Sequence, residues 1–244
     1  MANAINDKFA VLIDADNAQA LVIHELLAEV SRYGTASVKR AYGDWTTTNL
    51  KGWKEVLHKM AIQPMQQFSY TTGKNSTDSS LIIDAMDLLH AGRLNGFCLV
   101  SSDSDFTRLA TRIREAGLLV YGFGERKTPP AFVAACDKFI FTEILRPLQA
   151  PASPEEQAPE ALEPMIRATV TATARDNGWS ALSAVGSMLV KNSPSFDPRN
   201  FGCQKLGELV RRQSYLEVKE VAAEDGSSNV HVHVRLKPPK QRTR

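Results

Sequence analysis

FCLVSSDSDFTRLATRIREAGLLVYGFG, residues 97–124, is the stretch whose reading decides the fold. Residues 97–101 are a short apolar run of strand length. Small polar and acidic residues follow at 101–105. Residues 106–116 then show helical spacing, stopped by Gly117, and 118–123 form a second apolar run. A strand, a helix and a strand joined this tightly make a unit with parallel strands. Reading outward, the pattern repeats. Residues 138–141 are a last short strand. Toward the N-terminus lie a helix at 77–91, an extended run at 62–67, a helix at 45–60 and a strand at 37–42. Residues 18–32 have helical spacing, with Leu21, Leu26, Leu27 and Val30 on one stripe. Residues 9–13 form the first strand, ending at Asp14. The fold class is α/β: a parallel sheet flanked by helices, with right-handed crossovers collecting the strand C-terminal ends along one edge.

That edge is acidic. Asp14 and Asp16 follow the first strand, and Asp103 and Asp105 follow the strand at 97–101. Asp78 opens the helix at 77–91, which also carries Asp84 and Asp87. Ligands of open parallel sheets bind in the crevice beyond the strand C-terminal ends, so carboxylates distant in sequence can converge there. Converging carboxylates repel and raise one another's pKa. A hard divalent cation, Mg²⁺ or Mn²⁺, resolves that repulsion. It can also activate water and polarise a phosphodiester, a chemistry that needs no Ser, Cys or His nucleophile. The plain alternative is that an aspartate after a strand caps the next helix, as Asp16 or Asp105 could. Asp84 and Asp87 are expected on a solvated helix face.

Composition narrows the class. Hydrophobic residues make up 43% and charged residues 23% of 244, the balance of a globular protein. No apolar run approaches the roughly 20 residues that cross a bilayer. Asp7 and Lys8 interrupt any signal-peptide pattern, so a cytoplasmic protein without a membrane is expected. Cys98, Cys136 and Cys203 are far apart with no CxxC pair, which points to buried thiols rather than disulfides or zinc. Residues 1–148 carry about 16 basic and 16 acidic side chains, whereas 165–244 carry about 13 and 7. The second part is therefore the more suited to a polyanion.

The boundary falls in LQAPASPEEQAPEALEP, residues 148–164, which has little to bury and reads as a linker. The expected organisation is a first domain at 1–147, this linker, a second domain at 165–237 and a basic tail at 238–244. Helices at 164–177, 183–191 and 204–212, then strands at 216–221 and 230–236 around a loop at 224–229, describe a small α+β winged-helix domain. Pro164 is expected in the first turn of its helix. His231 and His233 share a strand face but have no third ligand in view. Trp45 and Trp53 have the spacing of core residues.

FAVLIDADN (9–17), GKNSTDSSLIIDAMDLL (73–89) and the quoted 97–124 stretch resemble, in order, the motifs of the NYN domain in its LabA-like branch. The resemblance covers about residues 8–145. It implies a PIN-like fold and a Mg²⁺- or Mn²⁺-dependent endoribonuclease. It further implies that Asp14, Asp78, Asp103 and Asp105 are the catalytic, metal-holding aspartates. Asn17 would be the companion of Asp14, and Ser101 and Ser102 would line the same loop; Asp16 and Asp84, by their position in the sequence alone, are supporting candidates. Lys74, Arg126 and Lys127 lie in loops expected near this edge and are candidate RNA contacts.

GWSALSAVGSMLVKNSPSFDPRNFGCQKLGELVRR, residues 178–212, with the hairpin after it, resembles the OST-HTH or LOTUS domain. That implies RNA binding, or in some members a protein partner. Arg199, Lys205, Arg211 and Arg212 on or beside the third helix are the candidate RNA contacts. Two other readings stand beside the nuclease. One is a non-catalytic RNA-binding adaptor. The other is a haloacid-dehalogenase-type phosphatase, suggested by Asp14-Ala15-Asp16 and disfavoured by Asn17 and the Ser102–Asp105 pattern.

Overall fold

The computed structural model describes residues 7–67, 76–146, 159–222 and 230–238. The chain divides into two units, Met1–Gln149 and Ala150–Arg244, each with its own core.

The first unit is a six-stranded parallel sheet. Its strands are β1 (Lys8–Asp14), β2 (Thr35–Gly43), β3 (Gln63–Gln66), β4 (Gly96–Val100), β5 (Leu119–Gly124) and β6 (Lys138–Phe141). They are ordered β3-β2-β1-β4-β5-β6. The order runs one way from β1 to β3 and the other from β4 to β6, so the chain reverses between β1 and β4. That switch point is where an open sheet leaves a crevice. Side chains of β1 alternate. Ala10 and Leu12 join a core with α3 (Ser76–His90), α4 (Thr107–Glu115) and α5 (Pro130–Ala135). Phe9, Val11 and Ile13 join the opposite core with α1 (Ile23–Val30) and α2 (Trp53–Lys59). Asp14 continues the parity of Ala10 and Leu12, toward the α3 side.

Three local expectations change. The helix expected from residue 18 begins with a 3₁₀ turn, Ala20–Val22, before α1. The tighter turn shifts the phase of the stripe. Leu21 is consequently 87% exposed, while Val22, Ile23, Leu26 and Val30 are buried. The helix expected at 45–60 is a 3₁₀ turn, Thr48–Leu50, and then α2. Trp53 is buried there, and Trp45 donates from Nε1 to the Met65 carbonyl at 3.0 Å. Helix α5 was not expected; Pro130 at its start supplies a preset backbone angle.

The second unit has α6 (Pro159–Thr173), β7 (Ser180–Ala181), α7 (Leu182–Asn192), α8 (Leu206–Arg211), β8 (Leu216–Ala222) and β9 (Val230–Leu236). Its antiparallel sheet is ordered β7-β9-β8, giving the winged-helix arrangement. Helix α6 starts at Pro159, within the stretch expected to be linker, and Pro164 lies inside it rather than in its first turn. The reason is a longer apolar stripe: Leu162, Ile166 and Val170 are all buried at four-residue spacing. Before the third helix, a 3₁₀ turn at Pro198–Phe201 is closed by Gly202 at φ 68°, a left-handed angle that suits glycine. The expected loop at 224–229 lies outside the described residues. Among the described residues, no helix is long and apolar enough to cross a membrane. All three cysteines are free and buried.

Candidate active site

Asp14 is the last residue of β1 and is 1% exposed. One of its oxygens, Oδ2, accepts from Ser101 Oγ at 2.7 Å and from Asn17 Nδ2 at 2.8 Å. The turn after β1 brings Asn17 back by wrapping on the Asp14 carbonyl, which accepts from the Ala18 N–H at 2.9 Å. The other oxygen, Oδ1, is buried with no hydrogen-bond partner among the described residues. Burial pushes the Asp14 carboxyl up, opposed by the bonds from Ser101 and Asn17, with the Asp16 charge adding to the rise.

Ser101 is 3% exposed and joins two strand ends. It donates to Asp14 and its Oγ accepts from the Asp103 N–H at 3.1 Å. Gly124, at the end of β5, keeps this loop close: a Cβ there would meet the Ser101 carbonyl at 2.5 Å. Asp103 caps the 3₁₀ turn Ser104–Phe106, accepting from the Asp105 N–H at 3.0 Å. The cap is therefore Asp103, not Asp105 or Asp16. Asp78 sits in the first turn of α3. Asp78, Asp103 and Asp105 each offer an oxygen within 4.8 Å of the others. Asp78 is pushed up to about 6, first by burial and then by the charges of Asp14, Asp103, Asp105 and Asp16. One carboxylate already half out of water thus feels four others.

A divalent cation fits these residues. A buried carboxylate oxygen without a donor costs free energy that a cation would recover. The three nearby carboxylates supply the hard oxygen donors that Mg²⁺ and Mn²⁺ prefer.

The remaining sequence candidates divide. Asp84, expected on a solvated face, is largely buried: it accepts from the Arg40 guanidinium and the Tyr42 hydroxyl. It is therefore paired on the α3–β2 contact rather than part of the acidic cluster. The signal was present in the parity of Arg40 and Tyr42, which place both on one face of β2. Asp16 is exposed and lines a separate groove. Ser102 Oγ accepts from the Glu125 N–H at 2.8 Å, bracing the loop after β5. In that loop Lys127 pairs with Glu125 at 2.8 Å, and the Arg126 guanidinium lies 5.6 Å from the Phe141 ring centre. Lys74 lies outside the described residues.

In the second unit, Arg199 is held by Asp197 through Nε and Nη2 at 2.9 and 2.8 Å and is 19% exposed. It braces the turn before α8, a fixed internal use that leaves little of it for a ligand. Arg211 pairs with Glu220, and Arg212 with Glu208 at 2.6 Å, both with about half of the side chain exposed. Lys205 precedes α8 on the surface and has no ion pair among the described residues.

Comparison with known proteins decides the family. The NYN domain family matches residues 8–145, the strands and helices that carry this cluster. The chain belongs to the NYN family. Its NYN domain is of the PIN-like nuclease class, and the OST-HTH/LOTUS domain family, whose members bind RNA, matches residues 156–226. No curated protein matches this NYN protein. Among solved structures, a Vibrio parahaemolyticus protein of unknown function is similar at 19% identity and TM-score 0.47. It covers 57% of this chain and 94% of its own. An uncharacterised protein from Nitrosomonas europaea is 27% identical, with TM-score 0.31, over 38% of this chain and 85% of its own. A protein fragment from Chromobacterium violaceum is 43% identical, with TM-score 0.27, over 34% of this chain and 83% of its own.

Proposed function

We infer that this protein is a divalent-metal-dependent endoribonuclease whose winged-helix domain binds the RNA substrate. One observation carries the reading. The buried Asp14 has an unsatisfied oxygen in the same electrostatic neighbourhood as Asp78, Asp103 and Asp105, whose oxygens lie within 4.8 Å of one another. Asp14, Asp78, Asp103 and Asp105 would hold Mg²⁺ or Mn²⁺. When bound, the ion supplies charge neutralisation at the scissile phosphate and lowers the pKa of a water.

The chain's own residues do the positioning. Ser101 and Asn17 fix the Asp14 carboxylate by occupying Oδ2, so that Oδ1 alone is left to face the centre. The Asp103 cap fixes the loop that presents Asp105. Arg126, Lys127, Lys205, Arg211 and Arg212 would contact phosphates, with Lys127, Arg211 and Arg212 each exchanging an intramolecular carboxylate for a backbone oxygen.

Labelled single-stranded RNA incubated with Mn²⁺, Mg²⁺ or EDTA tests the reading. Internal cleavage with either ion, none in EDTA and none by Asp14→Asn or Asp103→Asn is expected. Cleavage unchanged in those variants, or metal-loaded wild type inert on a varied RNA panel, would sink it.

A further inference from the structure

A second feature lies beside the acidic cluster, where the chain leaves β1 and β2. A groove of about 540 Å³ opens between the turn after β1 and the segment leading into α2. Small-molecule sites span roughly 300–1,000 Å³, so the space is of ligand size. Leu50 and Trp53, both buried, back it, but the surface it offers is mostly polar. Its rim is polar and includes Asp16, Thr47 and Asn49.

The fold does not use this rim fully. Asp44, also at the groove, accepts from the Thr46 backbone and hydroxyl and from Gln66. Asp16 and Asn49, by contrast, have no side-chain hydrogen bond or ion pair among the described residues, and both are exposed. Gly52 lines the groove as well. Its φ of −64° and ψ of −18° are open to any residue, and a Cβ there meets no atom within 4 Å. Neither backbone nor packing requires glycine at this position. What its missing side chain provides is room in the groove.

The groove is joined to the cluster by chemistry as well as by sequence. Asp16 lies two residues past Asp14, and its charge reaches Asp78. A mostly polar lining with unpartnered groups at its rim suits a ligand with several hydrogen-bonding edges, such as a nucleobase. Among the four RNA bases, guanine alone presents two adjacent N–H donors, N1 and N2, beside a carbonyl oxygen. A carboxylate accepts such a donor pair side by side, as it accepts the fork of an arginine. A side-chain amide can donate to the neighbouring carbonyl.

We propose that this groove is a base subsite preferring guanine, with Asp16 accepting from N1 and N2 and Asn49 donating to O6. It would seat the nucleotide next to the phosphodiester held at the cluster, and in this it rests on the ribonuclease reading. The other three bases each turn a lone pair toward Asp16 where guanine turns a hydrogen.

Nucleoside binding to the full chain in EDTA tests the subsite without metal or turnover, with affinities of guanosine, adenosine, cytidine and uridine measured by ligand-observed NMR. Guanosine is expected to bind about tenfold more tightly than the others, the scale of one hydrogen-bonded pair to a charged group. Asp16→Asn should erase the preference, and Gly52→Leu should block all four nucleosides with an unchanged urea midpoint. If Gly52→Leu fails to fold, Asn49→Ala on the exposed rim should weaken guanosine selectively. Equal binding of the four nucleosides, or guanosine binding untouched by these substitutions, overturns the proposal. Selective guanosine binding by a protein that cleaves no RNA would instead overturn the ribonuclease reading and leave the groove as a guanine site. RNA cleavage without guanosine selectivity would do the reverse.

Discussion

Helix α3 carries two aspartates six residues apart, Asp78 and Asp84, and the structure treats them in opposite ways. Asp84 meets a guanidinium and a phenol from β2, so its charge is answered inside the protein. Asp78 meets four other carboxylates, and among the described residues no cation answers its charge. Both are partly withdrawn from water, so burial does not distinguish them. The supply of a partner does. Among the described residues a cation, Arg40, stands beside one carboxylate and none beside the other: the first is a brace, and the second is where the proposed metal would bind.

The largest effect should come from the proposed metal site. Asp14→Asn is expected to reduce Mn²⁺-dependent RNA cleavage by at least about 100-fold, the scale of losing one charge-stabilising group from an active site. Circular dichroism should show the fold retained. Cleavage within a few-fold of wild type would remove Asp14 from the centre.

The brace comes next. Arg40→Met leaves Asp84 partly buried with only the Tyr42 hydroxyl. Breaking a fully buried pair costs about 3–5 kcal/mol, and an exposed one at most about 1. With the two side chains 24% and 18% exposed, a loss of about 2 kcal/mol in urea unfolding is expected, with or without Mn²⁺. An unchanged midpoint would mean that the pair is not a brace.

The comparison is sharpest in sign. Asp84→Asn should lower the unfolding midpoint of the metal-free protein, whereas Asp78→Asn should raise it by relieving repulsion. Excess Mn²⁺ should stabilise the wild type by about 2.7 kcal/mol at one hundred times its Kd, and Asp78→Asn by less. Two shifts of the same sign in the metal-free protein would erase the distinction between the two sites.

The smallest effect belongs to the second domain. Lys205→Glu should weaken RNA affinity several-fold in fluorescence anisotropy and flatten its salt dependence, as loss of a phosphate contact does. Affinity and salt slope equal to wild type would remove α8 from the RNA surface.

Much of this was legible in the sequence, for reasons tied to particular residues. The short apolar runs at 9–13 and 97–101, the acidic turns after them and the alternation of strands with helices are local signals, and they led to the parallel sheet and its family. Asp14, Asp78, Asp103 and Asp105 could be picked because strand ends share an edge. Leu21 misled because one 3₁₀ turn rotates a stripe without changing its composition. Leu162 was hidden among prolines and glutamates, where a single apolar residue carries no period by itself. Asp84 was misjudged because its partners come from β2, and register between a helix and a strand is a tertiary fact. Arg199 looked like a free cation because the sequence does not show that Asp197 holds it.

The strand order has one more consequence. Asp14 and Ser101 stand at the ends of β1 and β4, adjacent strands whose separation is set by backbone hydrogen bonds at about 4.8 Å. Asp78 rides on a helix, which no such ladder locks in place. The centre is thus a vice with one fixed jaw and one sliding jaw. At the proposed metal site a larger ion such as Ca²⁺, with oxygen distances of about 2.3–2.6 Å against about 2.1 Å for Mg²⁺, would call on α3 to shift. Because Arg40 and Tyr42 grip that helix, the tolerance of such a site for ionic radius would be set at Asp84, by a residue that touches no ion.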